Sequence, residues 1–316
     1  MDAVLERCAG LDVHQETVVA CVLYGPLDQK PVSELRTFGT TTEELLAMAD
    51  WLEEHQCTHV ALESTGVFWK AVWNLLDSYP LELVLGNAHH IKNVPGRKTD
   101  MKDAEWIAKL LRCGLIEGSF VPPTAIRDLR DLTRYRKRLI QDATAEKNRI
   151  HKILQDANIK LDNYMSDLFG VSGRNILQMV INGEVITVGL LEQSLKGSLK
   201  QKAPQLAQAL NGRLRPHHRQ MIGFSWEHLM FLEQAIREID AEIDVRLQSY
   251  RKEIELIRTV PGINDTAAAT IMAEIGPDMS QFPSAGHLAA WAGVSPGNNE
   301  SAGKKNTVRP VPGING

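Results

Sequence analysis

The stretch Ala9-Gly10-Leu11-Asp12-Val13 sets one acidic residue inside an apolar run near the start of the chain. Such a run predicts a buried β-strand. A second run, His59-Val60-Ala61-Leu62-Glu63, predicts another buried strand, and it also ends on an acidic residue. The two strands therefore predict a pair of carboxylates, Asp12 and Glu63, that the backbone aims at one point.

Two more acidic residues open the segment Asp100-Met101-Lys102-Asp103-Ala104-Glu105-Trp106. Because they are three apart, a helix would place both on one face. Carboxylates brought together repel unless a cation or protons intervene, and hard oxygen ligands favour Mg²⁺ or Mn²⁺. We therefore predict a divalent metal site from four residues, Asp12, Glu63, Asp100 and Asp103. A capping role for Asp100 and a loop role for Glu63 stay open as alternatives.

Residues 1–121 are predicted to form one α/β domain. Two strands are predicted within 8–24, a third near 33–38, and later strands that end at 63 and 85. Helices are predicted over 41–55, 67–78 and 103–112. Leading strands followed by strands that alternate with helices indicate a mixed sheet covered by helices.

Pro122-Pro123 marks a boundary, and residues 122–258 are predicted to be mainly helical. One long helix is predicted over 125–158 and a second over about 226–258, with short helices between them. The second has apolar residues three and four apart, with one offset between Ile243 and Leu247. This nearly heptad spacing predicts a coiled-coil segment whose two helices pair or dimerise. Packing in an ordinary core explains the same stripe.

Residues 259–316 are predicted to form a small, mainly α domain. The turn Val260-Pro261-Gly262-Ile263 before a predicted helix over 266–275 is similar to a helix-hairpin-helix module, in which backbone N–H groups can hold a phosphate. A plain connection between two helices is the alternative. The later loop carries Ser301 between small and basic residues, and such a serine gains a role only if the loop reaches the metal site.

The net charge of −4 conceals an asymmetry along the chain. Residues 1–91 carry 4 Lys/Arg against 14 Asp/Glu, whereas residues 92–160 carry 16 against 9. A basic segment that follows a carboxylate cluster suits a polyanion approaching a metal site. A solvated helix face is the alternative for any single residue. The predicted nucleic-acid-binding residues are Arg127, Arg130, Arg134, Arg136, Lys137, Arg138, Lys147, Arg149, Lys152, Gly262, Lys304 and Lys305.

Other residue types indicate where the protein works. The four cysteines form no C-x-x-C pair, the N-terminus lacks a signal-like segment, and no apolar stretch approaches a membrane span. We therefore expect reduced core thiols in a cytoplasmic protein without a membrane partner. The pairs His89-His90 and His217-His218 lack zinc-site partners at useful spacing, so we expect solvated or packing roles for them.

Several short motifs, taken in order, resemble one known family over essentially the whole chain. The N-terminal ones are Gly10-Leu11-Asp12-Val13-His14, Ala61-Leu62-Glu63-Ser64-Thr65-Gly66 and Lys98-Thr99-Asp100-Met101-Lys102-Asp103-Ala104. The later ones are Thr259-Val260-Pro261-Gly262-Ile263, Ala273-Glu274-Ile275-Gly276, Phe282, and Ala290-Trp291-Ala292-Gly293-Val294-Ser295-Pro296 leading to Glu300-Ser301-Ala302-Gly303-Lys304. Together they resemble the insertion-sequence 110 transposases, also called DEDD transposases or bridge recombinases.

The resemblance implies a RuvC-like (ribonuclease H-like) N-terminal domain whose Asp12, Glu63, Asp100 and Asp103 bind Mg²⁺. It implies that Ser301 attacks a DNA phosphodiester and holds the strand covalently. It further implies double-stranded DNA as substrate and a structured guide RNA that chooses element ends and target. Homo-oligomers are implied in which the nuclease-like domain of one subunit meets the serine domain of another.

The C-terminal end departs from the family pattern. Family members continue past the serine loop to a Lys-x-Gly-Asn element and a terminal helix, whereas this chain continues through Val308-Arg309-Pro310-Val311-Pro312-Gly313-Ile314-Asn315 and stops. That end is similar to residues 258–264. A truncated or rearranged copy would explain both facts, so we expect membership of the family to be safer than activity.

Three competing interpretations can be compared with a DNA transposase, and the third of them is rejected. A metal-dependent junction nuclease needs only residues 1–115, so the long extension argues against it as the whole account. An inactive remnant that only binds nucleic acid is favoured by the departure at the C-terminal end. A sugar-kinase or actin-like ATPase would need Gly-rich phosphate loops after the strand aspartates. Asp12-Val13-His14-Gln15 is not such a loop, and no G-x-x-x-x-G-K-[ST] motif occurs, so we reject the ATPase.

Overall fold

The structure is a computed structural model that describes residues 2–64, 66–95 and 102–294, and the backbone of residues 300–301 and 304–305. The chain divides into two compact units, Met1–Thr124 and Ala125–Gly316. The predicted domain boundaries at 121/122 and 258/259 stay predictions.

The N-terminal unit is built on a five-stranded mixed sheet with the order β3-β2-β1-β4-β5. Strands β1, β2 and β3 form an antiparallel meander, whereas β4 and β5 run parallel to β1. The parallel strands are separated in sequence by helices, as crossover connections require. The strands are β1 (Arg7–Val13), β2 (Thr17–Tyr24), β3 (Val32–Gly39), β4 (His59–Glu63) and β5 (Glu82–Gly86).

Helices cover both faces of this sheet. They are α1 (Thr42–Glu54), α2 (Trp69–Leu76), α3 (Ala88–Asn93) and α4 (Asp103–Arg112). Met48 and Leu52 of α1 and Leu76 of α2 pack in one core with one face of the sheet, and α4 packs on the other face through Trp106 and Ile107. The predicted mixed α/β sheet covered by helices is confirmed.

The C-terminal unit is built mainly of helices in its described residues. Its helices are α5 (Thr124–Asp156), α6 (Val171–Asn182), α7 (Val188–Ser194), α8 (Ala203–Ala209), α9 (Pro216–Leu247), α10 (Arg251–Arg258), α11 (Asp265–Ile275) and α12 (Ala285–Trp291). Two short strands, β6 (Glu300–Ser301) and β7 (Lys304–Lys305), pair in antiparallel fashion near the end of the chain.

The long helices α5 and α9 lie antiparallel. Three pairs of contacts show this register, since positions rise along α5 as they fall along α9: Asp128 with Arg246, Glu146 with His228, and Asp156 with His218. The hydrophobic core that the two helices share includes Leu139, Ile150, Leu229 and Leu232. The predicted pairing of two long helices therefore has a counterpart in the fold. Whether they form a coiled coil between subunits stays a prediction.

The second long helix begins ten residues earlier than predicted and also ends earlier. It starts at Pro216, a residue favoured at the first helical position because its ring fixes φ. A 3₁₀ turn over Gln248–Tyr250 then separates α9 from α10. This break directly follows the offset in apolar spacing between Ile243 and Leu247. The offset therefore indicates where the helix ends.

The four cysteines are free thiols, and three of them are buried. Burial raises the pKa of Cys8 to about 12 and that of Cys57 to about 12, so neither is a reactive thiolate at neutral pH. This agrees with the expectation of inert core thiols. Among the described residues no helix is long and apolar enough to span a membrane.

Candidate metal centre and nucleic-acid surface

Asp12 and Glu63 lie side by side at the ends of two neighbouring parallel strands. The register between β1 and β4 pairs Gly10 with Ala61 and Leu11 with Leu62, so the next position along each strand is Asp12 and Glu63. Both side chains are largely shielded from solvent, at 20% and 12% exposure. The register therefore puts these two carboxylates at neighbouring positions of adjacent strands, and the joint site stays a prediction.

Asp103 lies near Asp12 because α4 packs unusually closely on β1. We call the region around Asp12, Glu63 and Asp103 the corner. A Cβ added to Gly10 would lie 2.3 Å from the backbone N of Ala108 and 2.4 Å from the carbonyl O of Ala104. Only glycine permits this approach. Alternate residues of a strand share a face, so Asp12 points to the side of the sheet that α4 covers. Asp103 is the first residue of that helix.

The three carboxylates influence one another electrostatically. Burial raises the pKa of the Asp12 carboxyl, and the negative charges of Asp103 and Glu63 raise it further, while His14 beside it acts in the opposite direction. Crowded like charges in a partly buried site are a common mark of functional carboxylates.

Two side chains with nitrogen atoms contact these carboxylates, and the sequence analysis did not single out either. His14 Nε2 lies 3.2 Å from Asp12 Oδ2, and Lys92 Nζ lies 3.5 Å from Glu63 Oε1. His14 had a signal, since it stands two residues after Asp12 in the quoted motif. Lys92 had none, because it comes from α3, which the sequence analysis did not predict.

The donor set fits a hard divalent cation, although the described residues contain only part of the predicted set. Asp100 lies outside the described residues, and α4 begins after it, at Asp103. Within the described part of the chain, no three His, Cys, Asp or Glu side chains are grouped closely enough to hold one ion. The chemistry of the three carboxylates is that of a Mg²⁺ or Mn²⁺ site. The four-residue site itself stays a prediction.

Many of the basic residues predicted to bind nucleic acid face carboxylates of their own unit. Arg134 donates to both carboxylate oxygens of Glu274, at 2.8 and 2.9 Å. Arg130, only 15% exposed, donates to the carbonyl oxygens of Ala273 and Glu274 at the end of α11. Both arginines therefore tie α5 to the C-terminal end of α11, whose last carbonyls lack helical partners.

Three further basic residues of α5 pair in a similar way. Arg136 contacts Asp240, Lys147 lies 3.6 Å from Glu233, and Arg149 contacts Glu146. Lys137, Arg138 and Lys152 are exposed, and Arg127 is partly buried. The predicted set thus contains members that hold the helices together and members that present charge to solvent.

The remaining predicted binding residues lie toward the C-terminal end. Gly262 adopts φ +90° in the turn between α10 and α11, with nothing within 4 Å of an added Cβ. Asn264 caps α11 by accepting from the N–H of Ala267 at 2.9 Å. Ser301 pairs with Lys304 across β6 and β7. The side chains of Ser301, Lys304 and Lys305 lie outside the described residues, and their roles stay predictions.

Two family models match the chain. A model of DEDD-type transposases of the IS110 group matches residues 9–159, and a model of the transposase IS116/IS110/IS902 family matches residues 254–313. Together they cover about two thirds of the chain. No curated protein matches it.

Similar solved structures include RuvC from Thermus thermophilus, with 13% identity, 36% of this chain and 99% of that chain covered, and a TM-score of 0.27. T. thermophilus RuvC in complex with a Holliday junction substrate shows 13% identity, coverage of 36% and 100%, and a TM-score of 0.26. An exopolyphosphatase from Cytophaga hutchinsonii shows 12% identity, coverage of 72% and 90%, and a TM-score of 0.21.

The two family matches fall on both ends of the chain, in the order that the sequence motifs predicted. The N-terminal match includes the strands and the helix that carry Asp12, Glu63 and Asp103. It also spans nearly all of the mixed sheet described above. The chain belongs to the IS110 family of transposases, which are enzymes that act on DNA.

Proposed function

We propose that this transposase cuts and rejoins DNA by serine attack with the help of a divalent metal centre in its N-terminal unit. The proposal is supported by Asp12 and Glu63 at neighbouring positions of β1 and β4, with Asp103 at the start of the helix that packs on Gly10. Burial raises the pKa of the Asp12 carboxyl and the charges of Asp103 and Glu63 add to this, so a bound cation would relieve the repulsion among these carboxylates.

The metal-binding residues would be Asp12, Glu63, Asp100 and Asp103. A bound Mg²⁺ or Mn²⁺ would polarise a DNA phosphate and stabilise the leaving oxygen. His14 and Lys92, which contact two of the carboxylates, supply part of the positive charge that the corner needs. The close packing of α4 on Gly10 fixes the position of Asp103 relative to Asp12.

In the proposed reaction, Ser301 Oγ attacks a phosphorus atom of a DNA strand. A phosphoserine ester forms, the phosphodiester P–O bond breaks, and the released strand end carries away a hydroxyl group. A hydroxyl of another strand end then attacks the phosphoserine, which restores Ser301 and rejoins the DNA. Lys304, the cross-strand neighbour of Ser301, and Lys305 would lower the cost of negative charge on the phosphate.

The proposed partners are double-stranded DNA at the element ends and target, a structured guide RNA, and further copies of the chain. The positive segment over residues 92–160 supports binding of a polyanion. Exposed Lys137, Arg138 and Lys152 are its most accessible members among the predicted binding residues of α5.

Trapping the covalent intermediate tests the proposal. The full chain would be mixed with Mg²⁺, labelled element-junction DNA and RNA from cells that carry the element, and then run on a denaturing gel. We expect a shifted protein–DNA band for the wild type and for Ser295→Ala, and none for Ser301→Ala. Asp12→Asn should also lose the band, whereas Asp50→Asn, on the exposed side of α1, should keep it.

Each failure has its own meaning. Mg²⁺-dependent nicking by Ser301→Ala, with no adduct in any variant, would replace serine chemistry with a hydrolytic nuclease. Nucleic-acid binding without adduct or nicking in the wild type would support a remnant that only binds. An adduct that survives Asp12→Asn would remove the metal centre from the proposal.

A further inference from the structure

A cleft of about 280 Å³ opens where the end of α5 meets the start of α9, and its lining is rich in positive charge. Five of its side chains are basic or imidazole groups, and one is a carboxylate. The lining residues are Arg149, Lys152, Ile153, Asp156, Arg215, His217, His218 and Met221. Only Arg149 and Lys152 were predicted to bind nucleic acid.

The backbone fixes the basic side of the cleft firmly. Gly212 lies so close to the end of α5 that an added Cβ would sit 2.3 Å from the carbonyl O of Ala157. The N–H of Arg213 donates to the same oxygen at 2.8 Å. The loop before α9 is therefore clamped to α5, and Arg215 and His217 follow it directly.

His218 forms the floor of the cleft and orients its neighbours. Its side chain is 5% exposed, and its Nδ1 accepts from the backbone N–H of Arg215 at 3.2 Å. Its Nε2 lies 2.8 Å from Asp156 Oδ2 and 2.7 Å from Arg215 Nη2. The Arg215 guanidinium lies 3.5 Å from the same carboxylate. Asp156 is thus paired with two groups of the cleft, while its side chain stays 67% exposed.

The charge that remains is available to a ligand. Lys152 is exposed, and the Arg215 side chain is 65% exposed although it touches Asp156. Arg149 contacts the buried Glu146, yet half of its side chain still faces solvent. Cationic groups that converge on a concave surface suit the phosphates of a polyanion better than one small anion.

An exposed aromatic ring stands on the same helix face as the cleft. His217, Met221 and Phe224 are spaced four and three residues apart along α9, so their side chains share one face. Phe224 is 58% exposed, which is costly for a side chain with no partner in water. Aromatic rings beside phosphate-binding cations are typical of surfaces that stack unpaired bases.

We infer that this cleft binds an unpaired stretch of nucleic acid, with phosphates on Lys152, Arg215 and Arg149 and a base stacked on Phe224. The site goes beyond the proposed chemistry, because it selects single strands rather than cutting duplex DNA. It rests on the proposed function only in that a transposase handles nucleic acid. RNA and DNA offer the same phosphates and bases here, so the experiment uses both.

Fluorescence anisotropy of the full chain with a labelled twelve-nucleotide single strand tests the inference. The strand is prepared as RNA and as DNA, with the matching DNA duplex as a third probe, and all titrations are done in EDTA at several salt concentrations. Lys152→Ala should reduce the slope of log Kd against log salt by about 0.7, the loss expected for one phosphate contact. Phe224→Ala should raise Kd about tenfold.

Matched variants far from the cleft serve as controls. Arg237→Ala removes the same charge as Arg215→Ala, about 33 Å further along α9. Tyr135→Ala removes an equally exposed ring from α5, about 30 Å from Asp156. Both should bind like the wild type. Arg215 begins α9 and its loss could loosen the helix, so exposed Lys152 carries the decisive charge test, with melting curves for every variant.

Two results would overturn the inference. Cleft variants that bind like the wild type, or that lose no more than their distant controls, would leave only diffuse electrostatic binding. Equal affinity for duplex and single strand, with no effect of Phe224→Ala, would overturn the assignment to unpaired nucleic acid. If RNA binds more tightly than DNA of the same sequence, the natural ligand of the site is RNA. Because EDTA removes metal chemistry, these results are independent of whether the strand-cutting proposal holds.

Discussion

The two units of this transposase treat charge in opposite ways. The N-terminal unit gathers Asp12, Glu63 and Asp103 at one corner, where they raise the pKa of Asp12. In the C-terminal unit, several basic residues of α5 each meet a carboxylate, as Arg134 meets Glu274. We propose that the acidic residues of the N-terminal unit bind a cation, whereas the ion pairs of the C-terminal unit are structural contacts. Counting charged residues along the sequence cannot separate the two cases.

The strongest test of this difference between the two units is to remove one negative charge from the corner. We expect Asp12→Asn to lower the rate of DNA strand cleavage by about a hundredfold or more, because a misplaced metal forfeits several kcal/mol of transition-state stabilisation. Folding should stay intact, since the substitution relieves repulsion. Single-turnover cleavage of labelled DNA measures the first effect, and thermal melting with and without Mg²⁺ measures the second.

Asp50→Asn is the control for that substitution, because Asp50 is an exposed acid of α1. Mg²⁺ should raise the melting temperature of the wild type and of Asp50→Asn but not that of Asp12→Asn. Equal Mg²⁺ stabilisation of all three proteins would mean that the corner holds no metal.

The geometry of the corner can be disturbed without touching a carboxylate. A methyl group on Gly10 would collide with the backbone of Ala104 and Ala108, so Gly10→Ala must displace α4 and with it Asp103. We expect a loss of about 3 kcal/mol in the free energy of unfolding, together with a weaker Mg²⁺ response. Urea unfolding with and without Mg²⁺ measures both effects.

Gly189→Ala provides the opposite result as a control. Gly189 lies in α7 with nothing within 4 Å of an added Cβ. Alanine should therefore stabilise the helix by up to about 1 kcal/mol. If Gly10→Ala is tolerated as well as Gly189→Ala, the close packing of α4 on β1 is not what fixes the position of Asp103.

The N-terminal unit was the easier part to predict. Alternating strands and helices have strong local periodicity, and the predicted strands that carry Asp12 and Glu63 are neighbours in the sheet. Even α4 begins and ends at the predicted residues, Asp103 and Arg112. Local pattern succeeds here because each element buries one face against a single sheet.

The C-terminal unit was harder, because its key contacts are distant in sequence. No residue near Arg130 in the sequence predicts its contact with the end of α11. The sequence analysis names Glu274 only as part of a short family motif. His218 is a similar case: it was assigned to packing or solvent, yet its imidazole organises a cationic cleft with Asp156 and Arg215. Long-range pairing decides which charges remain available, and one sequence does not reveal it.

In the C-terminal unit, where basic residues pair with carboxylates, loss of a carboxylate should reduce the free energy of unfolding. Glu274→Gln leaves Arg130 and Arg134 without their shared anion, and Arg130 is mostly buried. We expect a loss of about 2 kcal/mol in the free energy of unfolding. Glu242→Gln, which breaks the exposed pair with Arg246, should cost less than about 0.5 kcal/mol. Urea unfolding of both variants decides whether these arginines are structural. If both variants lose the same small amount of stability, Arg130 and Arg134 are not structural and are available to bind nucleic acid.

The smallest effect concerns the pH dependence of stability without metal. The folded chain holds the Asp12 proton more tightly than the unfolded chain does, because burial and the charges of Asp103 and Glu63 raise the pKa of its carboxyl. The ionised form therefore costs stability above that raised pKa. This loss of stability decreases as pH falls through the pKa of the folded chain, and it is gone below the pKa of the unfolded chain, about 3.9.

In EDTA at about pH 7, Asp12→Asn should melt about 2 °C above the wild type, and the difference should vanish near pH 4. Melting temperatures of the two proteins at matched pH give this difference directly. If the variant melts lower than the wild type at neutral pH, Asp12 is compensated like the carboxylates of the C-terminal unit, and the contrast between the two units fails.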